Sequence, residues 1–385
     1  MSDEVESLCG PRYRPDSGSD YRRAGSERGS VYLDGEKEAI VRPRVRHDDD
    51  GEVTLESYRV ASSQRTLFDE IVGLVAEGMA QRGVERVSKG SISKSSVSRM
   101  WEEKSREQLA LIRERPLDQS QWLMVLIDGV FIGNKGCVVI ALGIDASGRK
   151  QVLDFEPGDS ESQETVNRLI GRLKKRGVHA PEDSRLLVIR DGSKAIDSAV
   201  KRSWPEALQQ ACLVHVERNI SDRLRKRDRS ECQRLFKGLR EAEGREAGEE
   251  AFEDLREFLA ERNAAAALTL TDRREEILTV HRLGVPATLN SSLLSTNMIE
   301  NVICNWREHT NNVKRWNVKS DMIERWAASG LLWAESGFRR LRHHEEMPKL
   351  RLALARSFAA LTSATGSSLR SKPSAAIKAA NEIPS

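Results

Sequence analysis

The stretch LLVIRDGSKAIDSAVKRSWPEALQQACLVH, Leu186 to His215, decides the fold. Leu186 to Ile189 is an unbroken apolar run of the kind buried in a sheet, and it stops at Asp191-Gly192 with only Arg190 between. Lys194 to Arg202 follows with helical periodicity, and QACLVH is a second short apolar run. Strand, helix and strand in this order read as a parallel crossover unit, with Asp191 at a strand end.

Upstream, WLMVLIDGVFI from Trp122, CVVIALGIDASG from Cys137 and KQVLDFEPG from Lys150 are three apolar runs separated by Gly and Asn turns, a strand meander. A helix is predicted from about Gln163 to Arg176, with Val166, Leu169, Ile170 and Leu173 on one face. Three strands, helix, strand, helix, strand is an α/β order, antiparallel first and parallel after, which is the order of the ribonuclease-H-like fold. The core over residues 119–345 is therefore expected to be a mixed sheet flanked by helices. Residues 218–240 hold nine Lys/Arg against three Asp/Glu, and 241–261 hold nine acidic residues against two basic. Both stretches are helical in composition. They are expected to pair within an all-helical insertion at about 216–290; the other reading has the basic half track a phosphate backbone.

A chain of 385 residues is too long for one ordinary core. Residues 1–60, rich in Gly, Ser, Arg and Asp, are expected to be a flexible leader, and 346–385, thinning to Ala, Ser and Lys, a poorly ordered tail. Residues 61–118 read as helical: Leu67, Phe68, Ile71, Leu74, Val75 and Met79 recur at three- and four-residue steps. SISKSSVSRMWEE from Ser91 then predicts a short helix holding Val97, Met100 and Trp101 inward. As a DNA-binding helix-turn-helix it turns Lys94, Ser95, Ser96 and Arg99 to a groove; as a plain helical hairpin the same face is solvated.

Lys and Arg number 62 against 59 Asp and Glu, so the net +3 says little about nucleic acid and local clustering matters more. No apolar run has membrane-spanning length, and the start MSDEVESLCG lacks a signal peptide's apolar centre. Five scattered cysteines argue against a disulfide framework. A soluble protein of a reducing cytoplasm, with no membrane partner, is expected.

Asp128 and Asp191 each close an apolar strand and precede a glycine. Singly, each reads as a turn cap; as a pair on neighbouring strands they read as the start of a metal site, because a divalent ion compensates buried carboxylates. Two glutamates compete to complete it. STNMIEN from Ser295 and SDMIERW from Ser320 both fit a capping box, Asn297 with Glu300 and Asp321 with Glu324. Past Glu300 one face carries Cys304, Arg307, Asn311 and Lys314, whereas past Glu324 the sequence is apolar nearly all round. Glu300 is the better catalytic candidate and Glu324 the better plain cap.

DGV at Asp128, DGSKAIDSAVKRSWPEALQQACLVH from Asp191 and STNMIEN around Glu300 together resemble the Mutator-type transposases of bacterial insertion sequences, over about Trp122 to Arg340. The resemblance implies a ribonuclease-H-like core and an Asp-Asp-Glu site in which Asp128, Asp191 and Glu300 are both catalytic and metal-binding. It also implies DNA as substrate, assembly as a homodimer or larger complex on two DNA ends, and a bacterial, nucleoid-associated setting. Lys94, Ser95, Arg99, Arg307, Lys314 and Arg315 are the expected DNA contacts. Cys212 and His215 have the spacing of half a zinc site, but without a second half nearby they are read as structural residues beside the site. Trp306 and Trp316 are candidates for stacking on bases, and Trp204 for packing.

The chemistry this implies is phosphoryl transfer with Mg²⁺, Mn²⁺ substituting, in two ions: nicking at the element end, then attack of the freed 3′-hydroxyl on another phosphodiester. A serine hydrolase built on GDSES at Gly158 lacks the nucleophile elbow. The remaining alternative is a catalytically inactive, transposase-derived or regulatory DNA-binding protein.

Overall fold

The computed structural model describes residues 1–14, 16, 18–33, 36–62, 73–75, 79–87, 93–132, 136–311, 313, 316–317 and 320–370. The chain divides into two units, Met1–Glu107 with His309–Lys314, and Gln108–Glu308 with Arg315–Ser385.

The first unit starts with helix α1 (Ser2–Cys9) and an antiparallel sheet of β1 (Tyr21–Leu33), β2 (Glu36–His47) and β3 (Gly51–Val53). The expected flexible leader is thus folded. Val5, Cys9, Val45 and Leu55 form a small buried cluster. Arg42 pairs with Glu27 on the facing strand, and its guanidinium lies 4.2 Å from the centre of the Tyr58 ring. A ribbon whose faces are covered by arginine stems and cross-strand ion pairs needs few apolar residues, so composition alone underestimates it.

Helices α2 (Glu56–Ser62), α3 (Gln81–Val87) and α4 (Lys94–Glu114) follow. Leu67, Phe68 and Ile71 of the expected helical pattern, and the turn at 88–92 that would define a helix-turn-helix, lie outside the described residues. Helix α4 has 21 residues, longer than the short helix expected, and the boundary between the units falls within it. Val97 and Trp101 are buried as anticipated, Met100 is half-buried, and Lys94, Ser95 and Arg99 are exposed.

The second unit is built on β4 (Trp122–Phe131), β5 (Cys137–Asp145), β6 (Lys150–Gly158), β7 (Leu187–Arg190) and β8 (Leu208–Ala211), in the order β6-β5-β4-β7-β8. The first three strands pair antiparallel, and β4-β7-β8 pair parallel. This is the mixed sheet of a ribonuclease-H-like core. Between β6 and β7 runs α5 (Gln163–Lys175), its N-terminus capped by Ser162 on Thr165 N–H, and it buries Val166, Leu169, Ile170 and Leu173 as its sequence predicts. Between β7 and β8 runs α6 (Lys194–Ser203), capped by Ser193 on Ile196 N–H. Both helices pack on the sheet face that carries Val125, Ile127 and Val188.

The opposite face carries Met124, Leu126, Leu187 and Ile189 and is covered from the C-terminal half of the chain. Between β8 and the helix that bears Glu300, the described residues form helices only: α7 (Leu213–Ser221), α8 (Lys226–Glu241), α9 (Gly244–Arg262), α10 (Ala264–Thr271), α11 (Arg274–Ile277), α12 (Thr279–Leu283), a short 3-10 turn and α13 (Asn290–Leu293). Helices α8 and α9 share an apolar seam of Phe236, Leu239, Phe252 and Leu255. The acids of α9 pair elsewhere, however: Glu249 and Glu253 meet Arg274, and Glu249 also meets Arg282. Then come α14 (Asn297–Thr310), α15 (Met322–Ser336) and α16 (Met347–Arg370). The last is a regular helix with Leu350 and Leu354 fully buried, so the expected loose tail is helical through Arg370; residues 371–385 lie outside the described set. No helix of the described residues is long and apolar enough to cross a membrane.

Candidate active site

Period-two alternation along β4 puts Asp128 in phase with Met124 and Leu126, on the face covered from the C-terminal half of the chain. Asp191 follows β7 and is in phase with Leu187 and Ile189 of that same face. Ile127 pairs with Arg190 in the parallel register, so Asp128 and Asp191 are the next residues along on neighbouring strands. Only Asp191 stands at a strand end: β4 runs on to Phe131, and Asp128, expected to close it, pairs with Ile140 of β5 inside the sheet. Cys212 directly follows β8, the next strand over. Carboxyl ends of adjacent parallel strands are where α/β sheets collect ligands.

Asp128 is 7% exposed and its Oδ1 accepts from the Gly129 N–H at 2.8 Å. Burial pushes its carboxyl up to about 7, and the charges of Asp191 and Glu300 push the same way against Gly129 N–H and His215. Asp128 therefore feels the charges of both other carboxylates predicted from sequence. Asp191 Oδ1 accepts from Ser193 N–H at 2.9 Å, and neither aspartate has an ion-pair partner among the described residues. Arg190 is buried; its guanidinium pairs with Asp197 and Glu276 at 2.6 and 2.7 Å and donates to the Asp191 carbonyl at 3.1 Å, not to the carboxylate of Asp128 or Asp191.

Glu300 lies in the first turn of α14, whose Ile299, Val302, Ile303 and Trp306 are buried in the core. The capping box with Asn297 does not form. Ile299 and Glu300 donate their backbone N–H groups to the Thr296 carbonyl, both at 3.0 Å, and Glu300 Oε1 accepts from the Thr296 hydroxyl at 2.9 Å. Asp321 likewise makes no side-chain cap to α15; it pairs with Arg325 at 2.9 Å, so the capping role expected of Glu324's tetrad is absent.

Cys212 is fully buried, and its Sγ accepts from Thr296 N–H at 3.3 Å. Burial alone would raise this thiol, but hydrogen bonds from His215 and Thr296 outweigh it and hold it below the usual thiol range. The hydrogen bond to Cys212 raises His215 to about 9, against burial and helped by the charges of Cys212, Asp128 and Glu300. His215 Nδ1 is 3.8 Å from Glu300 Oε1. Cys212, His215 and Glu300 each offer a ligand atom, all within 4.8 Å of one another. The Cys-x-x-His pair thus meets Glu300 itself, which no second half-site in the sequence announced.

Two neighbours of the aspartates gave no sequence signal. Glu161 is half-buried over Gly129, in the space a side chain there would need, and both burial and the charge of Asp191 raise its carboxyl. Arg273 of the insertion donates to the Asp191 carbonyl at 3.4 Å. Of the expected DNA contacts, Arg307 is exposed on α14, while Lys314 and Arg315 lie outside the described residues. Trp306 is 2% exposed and packs 6.5 Å from the Trp316 ring, and Trp204 is buried as expected, so Trp306 offers no open stacking face.

The family model described as "Transposase, Mutator family" matches residues 1–320. The chain is 27% identical over 268 residues to the transposase for insertion sequence element IS905 of Lactococcus lactis, covering 67% of this chain and 62% of that one. It is 29% identical over 271 residues to the transposase for ISRM5 of Rhizobium meliloti, covering 67% and 66%. It is 26% identical over 297 residues to the transposase for IS1201 of Lactobacillus helveticus, covering 74% and 75%. The match thus spans slightly less than two thirds of the first two relatives' own length. With a family match over residues 1–320 of its 385 and a ribonuclease-H-like mixed sheet, the chain belongs to the Mutator family of transposases.

Proposed function

We propose that the chain nicks DNA at the ends of an insertion sequence and transfers the freed 3′-hydroxyl to another DNA phosphodiester. The observation that supports this reading is the buried Asp128 beside Asp191 on neighbouring strands, its carboxyl pushed up to about 7 by burial and then by the charges of Asp191 and Glu300. Like charges so placed favour a cation between them. An all-oxygen donor set suits a hard divalent ion, Mg²⁺ with Mn²⁺ as substitute, and three carboxylates are enough for two ions. When bound, such ions supply positive charge to the attacking and leaving oxygens of an in-line displacement.

The chain's own residues supply the geometry. Asp128 and Asp191 are fixed on adjacent strands by the Gly129 and Ser193 N–H groups. Glu300 rides on a helix anchored in the core. Lys94, Ser95 and Arg99, exposed at the start of α4, and Arg307 on α14 are assigned to the DNA backbone. Joining two ends requires two copies of the site, so a homodimer or larger assembly on DNA is part of the proposal. The printed names of the relatives, all transposases for insertion sequence elements, support the reaction class.

The deciding experiment is cleavage and strand transfer on labelled insertion-sequence ends with Mg²⁺ or Mn²⁺; absence of both products on the correct ends refutes the reading. Proton competition gives a separate check. A carboxyl at about 7 must lose its proton to bind a cation, so Mn²⁺ affinity should rise about tenfold between pH 6 and pH 8 and then level off. Calorimetric titration showing a flat profile across that range would contradict the role of Asp128. In the first unit, Lys94→Ala with Arg99→Ala should weaken binding to DNA by roughly tenfold and flatten its salt dependence by about two contacts. Unchanged affinity would remove these residues from the interface.

A further inference from the structure

Thr296 is fully buried immediately before α14, and its hydroxyl oxygen has three polar neighbours: Glu300 Oε1 at 2.9 Å, Cys212 Sγ at 3.2 Å and His215 Nδ1 at 3.3 Å. A hydroxyl has one proton to give and two lone pairs, so it donates to one of the three and accepts from others. The carboxylate is both the nearest and the most strongly accepting partner. The segment around Thr296 is itself pinned to α7: Leu213 N–H donates to the Leu294 carbonyl at 2.8 Å, and Thr296 N–H donates to Cys212 Sγ. Among the described residues every polar contact of the Glu300 carboxylate falls on Oε1, and no hydrogen bond reaches Oε2.

We propose that Thr296 is a positioning residue for Glu300. By holding Oε1, and by being held through Cys212 and His215, it fixes the carboxylate plane and leaves Oε2 to ligate the cation shared with Asp128 and Asp191. Groups that hydrogen-bond a ligating carboxylate set its orientation and hence the metal affinity. The Cys-x-x-His pair then acts on the metal site through one hydroxyl, without itself contacting the ion. This inference rests on the reading of Glu300 as a metal ligand.

The test is Mn²⁺ titration of the full chain, with free Mn²⁺ followed by electron paramagnetic resonance and thermal unfolding recorded in parallel. Thr296→Val, close in volume but without the hydroxyl, should weaken Mn²⁺ binding about tenfold, whereas Thr296→Ser should stay within about twofold. Thr296→Ala is the second hydroxyl-free variant should the valine not fold. In a Glu300→Gln background Thr296→Val should cost nothing further, because its effect passes through Glu300. Unchanged Mn²⁺ affinity in the hydroxyl-free variants, even with a lower melting temperature, would reduce Thr296 to a packing role and overturn the inference. An additive loss in the double variant would do so as well. Unchanged affinity in Glu300→Gln alone would overturn the metal reading of Glu300, and this inference with it.

Discussion

Asp128→Asn, Asp191→Asn and Glu300→Gln are each expected to cut DNA cleavage and strand transfer by on the order of a thousandfold while DNA binding persists. Each substitution keeps the side chain's volume and removes a charge that the site needs only when a cation is bound. In the metal-free protein that charge is a liability. Burial first, and the charges of Asp191 and Glu300 after it, push the Asp128 carboxyl up to about 7. The unfolded chain ionises this group near 4, so the folded protein holds the proton more tightly over the window from about 4 to 7. Stability from this group is therefore lost as pH rises through that window. Asp128→Asn should abolish that loss and raise the melting temperature of the metal-free protein at pH 8, even as it abolishes activity. Opposite signs in the two measurements separate a catalytic defect from a folding defect. Glu324→Gln is the control and should leave both unchanged. Retained cleavage in Glu300→Gln, together with loss in Glu324→Gln, would assign the third carboxylate to Glu324 instead.

The sheet was legible because its strands are buried on both faces and so read as continuous apolar runs, from LMVLI before Asp128 to LLVI before Asp191. Helices α5 and α6 were equally plain, since each presents a single apolar stripe to one face of that sheet. The N-terminal sheet escaped notice for the opposite reason. Its strands bury only isolated valines, and arginine stems and ion pairs with Glu27 and Glu52 do the rest. Composition reads such a ribbon as leader. The helical stretch Met347–Arg370 was missed because its Ala- and Ser-rich sequence shows a thin apolar stripe, although Leu350 and Leu354 are fully buried.

At the proposed site, an apolar run ending in Asp-Gly marked out both aspartates, although β4 runs on past Asp128 to Phe131, and the polar face of α14 favoured Glu300 over Glu324. Which group would hold that glutamate was not legible. The tetrad pattern pointed to Asn297, yet the hydroxyl of Thr296, one residue earlier, takes the contact. Its other partners, Cys212 and His215, are distant in sequence and arrive only because β8 ends beside β7 and α7 starts there. A local pattern cannot carry that information; the strand order does. The same holds for Glu161, which lies over Gly129 because α5 begins just beyond the end of β6.

Asp154→Ala is expected to destabilise the second unit by about 3–5 kcal/mol, with little dependence on salt. Asp154 is fully buried on β6, and its two oxygens take Arg113 at 2.6 Å and Arg172 and Arg176 at 3.0 Å, with the Phe155 N–H at 2.7 Å. Glu156, two residues on, takes Arg168 and Arg172 at 2.6 Å. One carboxylate thus joins the end of α4, which carries Arg113, to α5, which carries Arg172, and to the edge strand of the sheet. Burial lowers the affinity of Arg113 and Arg176 for their protons, which measures how costly these cations are once desolvated. Deleting Asp154 leaves them buried with Glu156 as the remaining acid, so the loss exceeds the net worth of the original pairs. Asp154→Asn keeps the acceptor oxygen and should cost less than the alanine. The check is urea unfolding at low and high salt, compared with Glu164→Ala, which removes an exposed partner of Arg168 at 3.0 Å and should cost under about 1 kcal/mol. Equal effects at the two sites would mean that the buried cluster is no more than a solvated surface network. A large loss confined to Asp154 would make it the tie between α4 and the sheet that carries Asp128.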